Sequence, residues 1–306
     1  MGRTLVIHPG ALGDVLLAVP ALRALRREHP RDDLVLAAQS RVGQLLLALG
    51  VVDDARRFDA LGLDALFADA PPASPIDALS GVDRVVCWFG SKDPRFATRL
   101  RLLVPHAIVT SSTSADRVVW KHLLATITDG APAGCLDCVP IPVPPELVDE
   151  GRRVLEAAGW DGAHRLVMVH PGASGPAKRW PADGFAQVIT AVAANAAIVV
   201  HEGPVDGEPV GEVLARVPAP VLRLDNPALA VLAGALAHAS AYLGNDSGVS
   251  HLAAAVGASC VVLFTSSETL SWRPWAPAVE TRVVSSMSPA DVDEVQAVTD
   301  VVQRLV

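Results

Sequence analysis

Aromatic side chains are scarce in this chain of 306 residues, where 6 Trp, 6 Phe and 1 Tyr make up 4% of the sequence. Stacking platforms for nucleic acid bases need more rings than that. The core must instead be filled by Ala, Val and Leu, which suits helices laid on parallel strands. Positive charge is also in deficit. Lys and Arg total 25 against 33 Asp and Glu, a formal net charge of −8, which argues against nonspecific attraction to nucleic acid phosphates. The 4 cysteines are too few for a secreted disulfide framework and fit a reducing, cytoplasmic setting, with Cys135 and Cys138 expected as buried or idle thiols rather than metal ligands. No apolar run reaches the roughly 18 residues of a membrane span. His8, Pro9 and Asp14 interrupt the apolar opening that would otherwise pass for a signal peptide.

What remains is 51% apolar and 19% charged, the composition of a folded chain. At roughly 150 residues per domain, two domains are expected. Residues 4–7 (TLVI) form a β-branched run that stops at His8-Pro9-Gly10, and helical apolar spacing follows from Val15. The same grammar returns at 166–170 (LVMVH), then Pro171-Gly172-Ala173 and a helical run from Phe185. His-Pro-Gly-Ala thus occurs at 8–11 and again at 170–173. Further strands are expected at Leu34–Ala37, Arg84–Cys87, Ala197–Val200, Val221–Leu224, Ala241–Leu243 and Cys260–Phe264. Strands alternating with helices imply right-handed crossovers and parallel sheets.

The boundaries follow from this pattern: a first domain over 1–143, a second over 144–288, and a C-terminal helix over 289–306 placed to pack back on the first domain or on the second. The proline-rich stretch Val139–Pro145 reads as a semi-rigid hinge, and Asp69–Ile76 as a surface loop. Two such sheets collect strand C-termini and helix N-termini along one edge, so a ligand is expected in the cleft between the domains.

Familiar catalytic fingerprints are missing. No G-x-G-x-x-G follows the first strand, Gly172 to Lys178 does not make a phosphate-binding P-loop, His201-Glu202 lacks the second histidine of a zinc protease, and no G-x-S-x-G turn occurs. The strongest local signal is residues 243–255, where a strand ends and a small-residue helix opens at Asp246, Ser247 and Gly248, with His251 one turn on. These residue types suit a plain helix cap and equally an anion site, because free N–H groups at a helix N-terminus attract phosphate. Lys178 is either a solvated lysine or a point charge for that phosphate. Gly13-Asp14 opens the first helix. Its carboxylate is either a first-turn acid that favours the helix dipole or a general base that accepts a proton from an attacking hydroxyl.

Taken together, residues 6–22 (VIHPGALGDVLLAVPAL), 169–181 (VHPGASGPAKRWP) and 244–255 (GNDSGVSHLAAA) resemble glycosyltransferase family 9, the ADP-heptose:lipopolysaccharide heptosyltransferases. The resemblance implies an α/β GT-B fold of two Rossmann-like domains with parallel sheets facing a central cleft. It implies an inverting transfer of heptose from ADP-heptose to a lipopolysaccharide core, with no metal and no cofactor. Asp14 falls on the catalytic base of the family. Ser174 and Lys178 fall on its diphosphate contacts, and Asp246, Ser247, Gly248 and His251 on its block near sugar and phosphate. Glu202 is a candidate ribose contact, although His201-Glu202-Gly203-Pro204-Val205-Asp206 departs from the usual turn. Acceptor candidates are Gly13, the cluster Lys92, Arg95, Arg99 and Arg101, and the group Arg117, Lys121 and His122. The implied partners are a nucleotide-sugar donor and a lipid-linked glycan met at the inner face of the inner membrane, with no nucleic acid. The alternatives are a relative using another nucleotide sugar or a non-lipid acceptor, and a catalytically silent nucleotide-sugar-binding protein.

Overall fold

The computed structural model describes residues 2–68, 76–128 and 138–306. Cys135 and nearly all of the loop expected at Asp69–Ile76 lie outside the described residues. The chain divides into two compact units, Met1–Asp137 and Cys138–Val306, each an α/β layer structure around a parallel sheet.

The first unit runs β1 (Arg3–Ile7), α1 (Leu12–Leu16), α2 (Val19–Glu28), β2 (Asp33–Ala38), α3 (Ser40–Ala48), β3 (Asp54–Arg57), β4 (Arg84–Cys87), α4 (Pro94–Leu103), β5 (Ala107–Val109) and α5 (Val119–Ala125). Its sheet has the order β3-β2-β1-β4-β5. The helical stretch expected from Val15 is two helices, because the chain turns at Leu17-Ala18 and Pro20 sits in the first turn of α2, where its missing N–H costs no bond.

The second unit runs α6 (Pro145–Ala157), β6 (Leu166–His170), α7 (Ala182–Val192), β7 (Ala197–Glu202), α8 (Gly207–Leu214), β8 (Leu222–Asp225), α9 (Leu229–Leu236), β9 (Ala241–Asn245), α10 (Gly248–Ala255), β10 (Cys260–Phe264), β11 (Val279–Val283) and α11 (Val292–Leu305). The order is β11-β10-β9-β6-β7-β8. β6, β9 and β10 are buried along their whole length, as strands covered by helices on both faces must be.

The repeated His-Pro-Gly-Ala has a structural meaning. Each copy leaves the first strand of its sheet, β1 or β6, and that strand lies between its successor and the strand after the reversal, β2 and β4 in one unit, β7 and β9 in the other. Such a reversal opens a crevice at the strand C-termini where ligands bind.

The segment expected as a hinge is held on the second unit: Ile141 is buried and donates its N–H to Ala255 O at 2.7 Å. α11 packs within the second unit. Val295, Val298, Val301 and Val302 join the core of the second unit, and α11 packs on α7, so its apolar stripe is already used. α6 meets α9 where Gly151 faces Gly234, and a Cβ on either glycine would collide with the backbone of the other helix. Cys87 and Cys260 are buried free thiols, and burial pushes the Cys87 thiol up to about 12. Cys138 is disulfide-bonded, which corrects the expectation of an idle thiol there.

Candidate functional site

In the second unit the C-terminal ends of β6 and β9 carry the loop 171–180 and the turn 245–247. Asp246 continues the sheet edge, its N–H donating to Leu263 O at 2.8 Å. Ser247 caps α10, its Oγ accepting from Ser250 N at 3.3 Å, and Gly248 opens the helix with amides that have no intrahelical partner. Lys178 ends a short 3-10 turn, Pro176–Lys178, whose Ala177 O accepts from Thr265 Oγ1 at 2.8 Å. From there Lys178 Nζ donates to Asp246 Oδ2 at 2.6 Å, and His251 Nε2 lies 3.8 Å from Asp246 Oδ1. Residues 68 positions apart thus meet at the mouth of α10.

Burial pushes the Asp246 carboxyl up, but the His251 ring and the Lys178 ammonium together outweigh it and hold that carboxyl below the usual carboxylate value. The carboxylate therefore stays ionised and acts as a hydrogen-bond acceptor fixed in place. Ser174 is exposed in the same loop. Glu202 ends β7 nearly buried and pairs with Arg223 at 2.5 Å, so the candidate ribose contact already holds a cation.

Asn245 was not singled out in the sequence, and it organises the site. Fully buried, it donates from Nδ2 to Pro171 O at 2.8 Å and accepts at Oδ1 from Trp180 N at 3.0 Å. One amide therefore ties both ends of the loop that carries Lys178 to the strand that carries Asp246. Replacing Asn245 by Ala leaves a buried N–H and a buried C=O without partners, at about 1–3 kcal/mol each. The expected result is a loss of about 2–6 kcal/mol in urea unfolding together with weaker ADP binding; an unchanged midpoint would show that the loop does not depend on this amide.

Beneath the two glycine turns lies a second buried group. His170 Nδ1 and His201 Nδ1 are 3.1 Å apart, Asp206 Oδ2 accepts from Gly203 N at 3.1 Å, and the Asp206 carboxylate fills the space that a Cβ on Gly172 or Gly203 would need. Burial, then the neighbouring His170, pushes His201 down to about 3. Burial also lowers His170 against the pull of Asp206. Both rings are neutral at neutral pH.

In the first unit Asp14 lies in the first turn of α1 and is half-buried. Its Oδ2 accepts from Ala11 N at 2.9 Å, and no cation pairs with it among the described residues. Gly13 is buried within α1. A cavity of about 590 Å³ opens past the ends of β4 and β5, walled by Phe67, Trp88 and Phe89 and edged by Lys92, Arg95 and Ser111. The expected basic cluster divides here. Lys92 and Arg95 edge the cavity, whereas Arg99 donates to Leu66 O and Ala68 O and Arg101 to Val109 O, which are bonds that fix backbone. Arg117 is exposed, Lys121 lies over the Trp120 ring at 5.4 Å, and neither lines the cavity. His122 is turned to Ser111 O at 2.9 Å.

The family described as glycosyltransferase family 9 (heptosyltransferase) matches residues 145–299, a stretch that contains Lys178, Asp246 and His251 and leaves Asp14 outside. Lipopolysaccharide heptosyltransferase 3 of Escherichia coli is 30% identical over 143 residues, 44% of this chain and 40% of that protein; the chain thus matches less than half of that relative's length. Among solved structures, the family 9 glycosyl transferase of Veillonella parvula superposes with a TM-score of 0.75 at 18% identity, over 99% of this chain and 97% of that one. ADP-heptose lps heptosyltransferase II of E. coli gives 0.74 at 20% identity, over 99% and 98%. E. coli heptosyltransferase WaaC with ADP gives 0.68 at 16%, over 99% and 100%. At these identities the structures establish a shared GT-B fold.

Proposed function

The chain belongs to glycosyltransferase family 9, the heptosyltransferase family, and from that premise we propose that it is an inverting glycosyltransferase moving heptose from ADP-heptose to a lipopolysaccharide core. The observation that carries this reading is the Lys178–Asp246 pair at the mouth of α10, which puts a cation, helix amides and a fixed acceptor within one small site. A diphosphate needs the first two and a sugar hydroxyl the third.

In the reaction Asp14 takes the proton of the acceptor hydroxyl as its oxygen forms a bond to the anomeric carbon. The bond from that carbon to the phosphate oxygen breaks on the opposite face, and ADP leaves with the electron pair. Lys178 and the first amides of α10 neutralise the charge growing on the diphosphate, so the reading assigns no metal or other cofactor to that task. Asp246 accepts hydrogen bonds from the sugar, and Lys92 and Arg95 meet anionic groups of the acceptor. The acceptor is lipid-linked in this reading and is met at the inner face of the inner membrane by a cytoplasmic enzyme. Among the described residues no helix is long and apolar enough to cross a membrane.

Isothermal titration with ADP, ADP-heptose and other nucleotide sugars tests the donor. The expected result is binding of ADP-heptose and ADP in preference to uridine and guanosine analogues. Binding of another nucleotide sugar with none of ADP-heptose would overturn the assignment of donor, and donor binding without transfer to any glycan would leave a silent binding protein.

A further inference from the structure

His8 ends the first strand's run one loop before Asp14, and the reaction sketched above does not use it. Its ring is 3% exposed. Nδ1 accepts from Gly10 N at 3.2 Å, so the ring proton sits on Nε2, and that atom is buried without a hydrogen-bond partner. An unpaired buried N–H destabilises the fold, and an apolar side chain of the same size would avoid it. What an apolar side chain cannot supply is the acceptor at Nδ1. The next amide along, Ala11 N, is the one that holds Asp14 Oδ2. Consecutive peptide groups of one loop are therefore gripped by the two side chains, and the space beside Gly10 is closed on both sides: a Cβ there would lie 2.8 Å from His8 Cε1 and 2.8 Å from Asp14 Oδ2.

We propose that His8 is a positioning residue for Asp14, fixing through Gly10 N the loop whose next amide aims the Asp14 carboxylate. The proposal rests on Asp14 being the base. The His8 ring also meets the Trp88 ring edge to face, with centroids 5.7 Å apart, and Trp88 walls the cavity at the ends of β4 and β5. The aim of the carboxylate is thus set by the same side chain that backs the acceptor wall. Burial pushes His8 down to about 4, against the pull of Asp14, which keeps Nδ1 an acceptor at neutral pH.

The test compares His8→Leu and His8→Asn, each alone and combined with Asp14→Asn, in the full chain. Leucine keeps bulk and loses the acceptor. Asparagine keeps an acceptor for the N–H two residues on, as side chains of this type do in turns. H8L is expected to lower kcat about 10- to 100-fold, the scale of an ångström of misplacement, while ADP affinity holds; H8N recovers most of that loss. In the Asp14→Asn background H8L lowers turnover no further, since nothing is left to aim, whereas a general loss of structure would lower both. The proposal is overturned by H8L turning over like the wild type, by H8N as slow as H8L, or by H8L slowing the Asp14→Asn enzyme as much as it slows the wild type. Should H8L not fold, a slow H8N decides against it and a fast H8N for it. Wild-type turnover in Asp14→Asn alone would remove the base itself, an outcome separate from these.

Discussion

Asp14→Asn is expected to lower turnover about 100- to 10,000-fold, the contribution typical of a positioned general base, while ADP binds as tightly as before. The substitution is nearly isosteric. An asparagine oxygen still accepts from Ala11 N, the bond the carboxylate makes at 2.9 Å, so the loop keeps its shape and only basicity is lost. The donor groups Lys178, Asp246 and α10 belong to the other unit, which is why affinity and turnover should separate so cleanly. The competing account makes Asp14 a first-turn acid of α1 and nothing more. On that account the change costs about 0.3–1 kcal/mol of stability and leaves turnover alone. Initial rates at saturating donor, set beside an ADP titration of the same preparation, distinguish the two, and a variant as fast as the wild type ends the assignment.

The sheet centres were legible and three of the four edge strands were not; the fourth, β8, was read at Val221–Leu224 from its own apolar alternation. β1, β2, β4, β6, β7, β9 and β10 lie inside their sheets and are buried almost throughout, so they read as unbroken apolar runs. The missed strands β3, β5 and β11 are all at edges. β3 is DARR and β11 is VETRV, neither with a buried residue, and β5 has only 3 residues, too few to show a period. In the site, Asp246 and Lys178 were visible because charged and capping residues stand out against a chain this apolar. Asn245 was hidden in the same block, since a side chain whose partners are Pro171 O and Trp180 N leaves no spacing rule in the sequence. Arg99 and Arg101 looked like their neighbours Lys92 and Arg95 for the opposite reason: a row of cations along a helix does not reveal which of them bend back to carbonyls.

Lys178→Ala is expected to weaken ADP binding by about 1.5–3 kcal/mol, the range for a hydrogen bond to a charged group, or roughly 10- to 150-fold in Kd. The lysine is 39% exposed on its side chain while its partner Asp246 is only 7% exposed. Exposure on the lysine side lets solvent screen the pair, so folding stability should change far less than affinity does. Screening also leaves Nζ reachable by an incoming phosphate. Asp246 then has two jobs that pull apart: it holds Nζ in position before the donor arrives, and it competes with the diphosphate for the same cation afterwards. Asp246→Asn separates them, since an amide still accepts from a sugar hydroxyl or from Nζ but no longer holds the lysine by charge. ADP should bind Asp246→Asn at least as tightly as the wild type, because the lysine charge is released to the phosphates. The pair also sets a pH window: the Asp246 carboxyl is held low in the fold, so the pair is intact above the carboxylate range and is lost as pH falls through that lowered value. Titration of ADP into the wild type and both variants at neutral pH reads the affinities, and repeating the wild-type titration at pH values stepped down through the carboxylate range reads the pH window; an ADP affinity unchanged in Lys178→Ala takes the lysine out of the diphosphate site.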